Sequence, residues 1–261
     1  MLLPRDEPTL IGMVHLLALP GSPGWGGSIA AILERAERDA EALLAGGCDA
    51  LLVENMHDLP YLRGRVEPET VATMAVAASR VAAFGAPFGV QVLAAANREA
   101  LGVAVASGAR FIRAEAYAYA HVADEGWLDA CAAELARARA ALGADVAFWA
   151  DVKKKHAAHA VTADLSLADV ARGHAFAGAD ALVVTGSETG RPTSLDDVDA
   201  AREAGLPVIV GSGVTPENAR AFVGRADAVI VGSWLKEGGD WRAPVDVARV
   251  RAVASALRGS A

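Results

Sequence analysis

About eight times along this chain, a short run of β-branched and apolar residues gives way to a segment with apolar residues at helical spacing. That alternation commits a chain to βαβ units, because parallel strands can be joined only through a long crossover, usually a helix. The strand runs are 10–15, 50–54, 88–93, 110–113, 146–152, 181–185, 208–210 and 228–231. Helical spacing predicts helices over 29–46, 67–84, 97–107, 124–142, 166–177, 194–204, 216–223 and 244–257, with Pro68 in a first turn and Ser194 as an N-cap. Eight such units close a (β/α)8 TIM barrel, for which ~250 residues is the usual length, and this chain has 261. A doubly wound open sheet is the alternative. Its dinucleotide fingerprint belongs directly after the first strand, where residues 16–27 instead form a Pro- and Gly-bearing loop with no glycine-rich helix start. The expectation is one TIM-barrel domain over 1–261.

Composition narrows the function classes. With 53% hydrophobic residues the chain can bury a sizeable core, and a formal charge of −8 without a basic tail or stripe argues against a nucleic-acid partner. No apolar run reaches the ~20 residues needed to cross a bilayer, which leaves peripheral membrane contact open. Cys48 and Cys131 lack metal-ligand spacing and suit small buried apolar positions. No signal peptide is visible, so a reducing cytoplasm is the expected location.

A barrel gathers its chemistry at the C-terminal ends of its strands. There the sequence places His15, Glu54 with Asn55, Gln91, Arg113 with Glu115, Asp151 with Lys153, and Thr185 with Gly186. A side-chain period of two puts Asp151 and Lys153 on one face, and Arg113 and Glu115 on another. The last two strands end in VIVGSGVTPEN, residues 208–218, and its echo VIVGS, residues 229–233. Gly211, Ser212, Gly213, Gly232 and Ser233 there form the expected phosphate cradle, since glycines let backbone N–H groups approach an anion. The plainer reading is a pair of tight strand-to-helix turns.

Lysine usage is a separate signal. Three of the four lysines, Lys153, Lys154 and Lys155, stand side by side after the fifth strand run, while every other basic residue but Lys236 is arginine. Lys153, in register with Asp151, is the candidate for a point charge or an amine nucleophile, whereas Lys154 and Lys155 read as a solvated patch. His15 and His156 are candidate acid–base groups, and His57 reads as a surface-loop histidine. His15, Glu54, Asp151 and His156 are the conceivable metal ligands, but no spaced ligand motif supports them, so no cofactor is expected.

Seven stretches together resemble the BtpA/SgcQ family: IGMVHLLALPGSP, LLVENMHDLPY, FIR, WADVKKKHA, VVTGSETG, GSGVTPEN and VGSWLKEGG, in that order along nearly the whole chain. The resemblance implies a TIM barrel that binds phosphorylated ligands, in a family named for a factor needed for photosystem I accumulation. Its motif positions here are His15, Glu54, Asn55, Asp58, Arg113, Asp151, Lys155, His156, Thr185, Gly186, Gly211, Ser212, Gly213, Gly232 and Lys236, which raises the standing of Lys155. Four positions, Ala94, Ala96, Glu115 and Lys153, depart from the family pattern. Residues 94–96 are Ala-Ala-Ala where an arginine and an acid are usual, Glu115 replaces an asparagine, and Lys153 replaces a frequent histidine.

Two expectations follow. One is an enzyme acting on a small phosphorylated sugar or nucleotide by isomerisation, lyase chemistry or glycosidic cleavage. Lys153 or Lys155 would stabilise negative charge there, Asp151, Glu54 or His15 would move a proton, and Arg113 counts among the catalytic candidates. The other is a non-catalytic assembly factor docking through Trp25, Trp127, Trp234 or Trp241. A homo-oligomer is expected in either case.

Overall fold

Each barrel strand is buried along almost its whole length, as strands covered on both faces must be. The computed structural model describes residues 7–154, 156–186 and 192–259. Its eight parallel strands are β1 (Thr9–His15), β2 (Ala50–Glu54), β3 (Phe88–Gln91), β4 (Phe111–Ala114), β5 (Ala147–Asp151), β6 (Ala181–Val184), β7 (Val208–Val210) and β8 (Ala228–Val231). Around the barrel the order is β1-β8-β7-β6-β5-β4-β3-β2. Pairing of Leu10 with Val229 and of Ile11 with Ile230 closes it. No edge is left open for pairing with another chain.

The helices are α1 (Ile29–Gly46), α2 (Pro68–Ala82), α3 (Asn97–Ser107), α4 (Ala132–Ala141), α5 (Leu167–Phe176), α6 (Leu195–Arg202), α7 (Pro216–Ala219) and α8 (Val247–Arg258). Their ends follow local chemistry. Ser28 caps α1 by accepting from the Ala31 amide, and Gly47, at φ 103°, ends it in the left-handed conformation that glycine adopts without strain. Ser166 and Asp169 form a capping box on α5, and Asp246 accepts from two amides at the start of α8.

Two apolar layers hold the barrel. Outside it, the helices pack their buried faces on outward residues such as Val14, Val53, Val90 and Ile112. Inside, Ile11, Met13, Leu52, Phe111, Trp149, Val183, Ile209 and Ile230 belong to a separate plug. Phe111 and Trp149 stack across it with centroids 3.5 Å apart. Gly89 makes room for this stack, because a Cβ there would lie 2.2 Å from the Phe111 ring.

The structure corrects the expected helix over 124–142. Residues His121–Ala123 and Gly126–Leu128 form an antiparallel hairpin, joined at Val122 and Ala123 by Ala157–Ala158, and only Ala132–Ala141 is helical. Gly126, at φ 111°, permits the reversal, and within His121–Ala123 burial alternates with the period of a strand. The resulting three-stranded sheet is built from the loops that follow β4 and β5. Two smaller differences concern caps and length. Ser194 stands at the N-cap of α6 without a side-chain bond, and the helix predicted over 216–223 is α7 followed by a 3-10 turn, Arg220–Phe222. No helix among the described residues is long and apolar enough to cross a membrane.

Candidate functional site

The inward side of the barrel changes character in one step. Two residues beyond the last inward apolar position of each strand, or beyond Gly89 on β3, stand His15, Glu54, Gln91, Arg113, Asp151, Thr185, Gly211 and Gly232, one from every strand or its first following residues. Strand alternation therefore collects these sequence candidates into one ring on top of an apolar floor. The ring has two halves. Ionisable and amide side chains come from β1 to β5, and bare glycine backbone follows β7 and β8.

Arg113 and Asp151 lock the centre of the polar half. Arg113 donates to Asp151 Oδ1 from Nε at 3.1 Å and lies 3.0 Å from the same oxygen through Nη2, both residues being buried. Burial favours the neutral guanidinium, but Asp151 and then Glu54 outweigh it and hold the Arg113 pKa above its ordinary value. A permanently cationic group therefore sits at the mouth, paired with Asp151 and next to Glu54.

Glu115 stands on the inward face one step above Arg113. Its Oε2 accepts from the Ala95 amide at 2.7 Å, and its own carbonyl accepts from Asn97 at 2.6 Å. Ala95 adopts φ 55°, the left-handed region, which directs that amide at the carboxyl group. Ala95, between the departures Ala94 and Ala96, thus bonds the departure Glu115 directly. Burial pushes the Glu115 carboxyl up to about 7, with Lys154 opposing and Asp151 adding to the rise.

Lys154 corrects an expectation. Read from the sequence as solvated, it is buried, with Nζ 2.7 Å from Glu125 and 3.9 Å from Glu115. Burial lowers its pKa, yet Glu115 and Glu125 together hold it above the ordinary value. The register argument favoured Lys153, but β5 ends at Asp151, and beyond a strand end alternation no longer governs direction. Lys153 is half-buried, and its carbonyl accepts from Thr185 Oγ1 at 3.1 Å. Lys155 lies outside the described residues. His156 is exposed at a left-handed φ of 56°.

A cavity of about 250 Å³ joins the two halves. His15, Glu54 and Arg113 line one side, and the backbone of Gly211–Thr215 and Gly232–Trp234 lines the other. The amides of Gly213, Val214, Ser233 and Trp234 donate to no acceptor among the described residues. Gly213, at φ 71°, turns the first of these loops. At Gly232 an added Cβ would come within 3.2 Å of the His15 imidazole. Ser212 stiffens the cradle, accepting from the Gly186 amide at 2.9 Å, while its carbonyl accepts from Thr193 at 3.2 Å. His15 Nδ1 lies 3.2 Å from the Trp241 carbonyl, which fixes the ring against the opening.

Several motif residues prove to be supports. Both ends of the Asn55 amide are used within the protein, accepting from Leu93 N–H at 2.8 Å and donating to Asp58 at 2.9 Å, and Asp58 accepts from the Leu19 amide at 2.7 Å. Asn55, expected to bind ligand, instead ties the loops after β1, β2 and β3 together. Lys236 is wholly buried, donating to Asp39 at 2.9 Å and to the Met13 carbonyl at 3.1 Å. His57, expected on a surface loop, is half-buried against Trp241. Burial lowers its pKa. Among the described residues no three His, Cys, Asp or Glu side chains converge to hold a metal ion. Of the tryptophans, Trp25 and Trp127 are exposed, while Trp234 and Trp241 are half-buried and each lies under an arginine.

A family model described as the BtpA family matches residues 6–259. An uncharacterized mitochondrial protein of Caenorhabditis elegans is 44% identical, the match covering 95% of this chain and 92% of that one. The photosystem I biogenesis protein BtpA of Synechocystis is 39% identical, with 95% and 87% covered. Among solved structures, tryptophan synthase from M. tuberculosis superposes with a TM-score of 0.60 at 17% identity, covering 97% of this chain and 94% of that one. Thiamine phosphate pyrophosphorylase from Pyrococcus furiosus gives 0.59 at 13% identity, covering 98% and 97%. At these identities the likeness concerns the fold.

Proposed function

The chain belongs to the BtpA family, and on that footing we propose that it is an enzyme acting on a small phosphorylated sugar or nucleotide. Its phosphate is held between the loops after β7 and β8. The observation that carries this reading is that Gly213, Val214, Ser233 and Trp234 line the cavity and their amides donate to no acceptor among the described residues. Several N–H groups aimed into one pocket bind an anion without a side-chain cation, and glycines at 211, 213 and 232 keep Cβ atoms out of its way.

The opposite wall supports chemistry rather than binding alone. Arg113, kept charged, stabilises negative charge that develops on the carbon framework. Glu54 and His15 line the same cavity and are the groups within reach to move a proton, while Asp151 holds Arg113 in place. A scaffold has no need of such a ring, which is why this reading is preferred to a purely structural role in assembly.

The test is a thermal-shift screen with inorganic phosphate, sugar phosphates and nucleotides on the wild type and on Gly232→Val. Ligand at about a hundredfold its Kd stabilises by ~2.7 kcal/mol, or roughly 5–10 °C for a chain of this size. The variant is expected to lose that shift, because its side chain enters the cradle beside His15. If no phosphorylated compound raises the Tm of the wild type, the proposal fails.

A further inference from the structure

Gln91 is the one member of the inward ring whose polar group is idle. It is 2% exposed, and its Oε1 is sealed from solvent with no hydrogen-bond partner among the described residues. Its neighbours Asn55 and Arg113 have partners within the protein. Asn55 spends its whole amide on Leu93 and Asp58, and Arg113 is paired to Asp151. A buried amide left without a partner is costly to a fold, and native proteins keep such groups where a ligand completes them.

Its position says which part of a ligand that would be. Gln91 ends β3 directly beside Glu54, its partner in register on β2. In the barrel order, β3 stands four strands from β7 in either direction, so the end of β3 lies across the barrel from the strand that leads into the phosphate cradle, and Glu54, beside Gln91 in register, lines the cavity. Eight strands ~4.8 Å apart and tilted by ~36° enclose a mouth ~15 Å across between opposing backbones, a width that a phosphate followed by a chain of about five carbons fits within.

Resting on the phosphate reading above, we propose that Gln91 is a specificity-determining residue that reads hydroxyl groups at the end of the ligand remote from its phosphate, so that the substrate is a polyhydroxylated chain phosphate. The chemistry selects hydroxyls. A carboxamide offers one acceptor and one donor side by side, matching two adjacent hydroxyls, one donating to Oε1 and the other accepting from Nε2. Glu54 supplies a further acceptor and Arg113 a further donor on the same wall of the site. Presenting the sealed Oε1 needs only rotation about the last side-chain bond, a torsion with a broad profile. An apolar or flat aromatic end group would leave the amide unpaired and is rejected for that reason.

The experiment compares two probes of equal length, xylitol 5-phosphate and n-pentyl phosphate, with inorganic phosphate as the reference. Each is titrated by calorimetry into the wild type, Gln91→Met and Gln91→Leu. The wild type is expected to prefer the polyol phosphate over the alkyl phosphate by about a hundredfold or more. Both variants should lose about tenfold of that preference while binding inorganic phosphate as the wild type does. Without ligand, both should also melt at a higher temperature than the wild type, since an unpaired buried amide has been removed. That readout shows they are folded. A preference that is absent in the wild type, or unchanged in both variants, overturns the assignment while leaving the phosphate cradle standing. If inorganic phosphate and both probes fail to bind, the cradle reading falls and takes this one with it.

Discussion

Replacing Glu115 with Gln should make the protein more stable at pH 8 and leave it unchanged near pH 4.5. In the folded chain burial raises this carboxyl from 4.5 to about 7, even with Lys154 3.9 Å away. A raised carboxyl pKa means that the folded state holds the proton more tightly than the unfolded state does. The favourable contribution is therefore complete below the unfolded value of 4.5 and is lost as pH rises to about 7. At ~1.4 kcal/mol per pH unit, the loss over that window is about 3 kcal/mol. Glutamine has nearly the shape of the protonated acid. Its carbonyl can still accept from the Ala95 amide, and Lys154 keeps Glu125 at 2.7 Å. The difference in stability between Glu115→Gln and the wild type should grow from near zero at pH 4.5 to about 3 kcal/mol at pH 8, or roughly 6–12 °C in Tm. Thermal melts of both proteins at half-unit steps across this range measure it, and the difference curve removes the other carboxylates. A flat difference, or a wild type that is the more stable protein at pH 8, would refute the reasoning. Glu115 would then be an ionised partner of Lys154 throughout.

Asp151→Asn strands the buried Arg113 charge and should cost about 3–5 kcal/mol in urea unfolding, far more than an exposed ion pair would. Gly89→Ala drives a Cβ to 2.2 Å from the Phe111 ring and should destabilise by ~1–3 kcal/mol; adding Phe111→Leu should recover part of that loss in the same assay. Lys236→Met removes one of the two buried cations paired with Asp39, leaving Arg35 at 3.1 Å, and should cost about 3 kcal/mol. Calorimetric affinity for inorganic phosphate should stay unchanged in Lys236→Met, because this lysine holds α1 to the barrel and lies outside the cradle.

Much of the fold was legible in the chain because parallel barrels write themselves locally. Strands buried on both faces appear as unbroken apolar runs, and their crossovers appear as helical periods closed by Ser or Asp caps and Gly stops. All eight positions of the ring were readable by the same logic of polar groups or glycines at strand ends. The helix over 124–142 was misread because alanine and arginine favour helices so strongly that they masked the short strand Gly126–Leu128.

What the sequence by itself determined is the barrel, its direction and the strand ends where chemistry gathers, since all three depend on neighbours in the chain. Only the tertiary structure decided which polar residues are engaged and which are idle. Asn55, Asp58 and Lys236 stood on motif positions, yet their partners come from other strands and helices, and those partners make them supports. Lys154 looked solvated until the hairpin after β4 brought Glu125 over it. Gln91 looked like one polar strand end among several. It stands apart because no described residue bonds its buried Oε1, a fact that belongs to the assembled barrel and to no stretch of the chain.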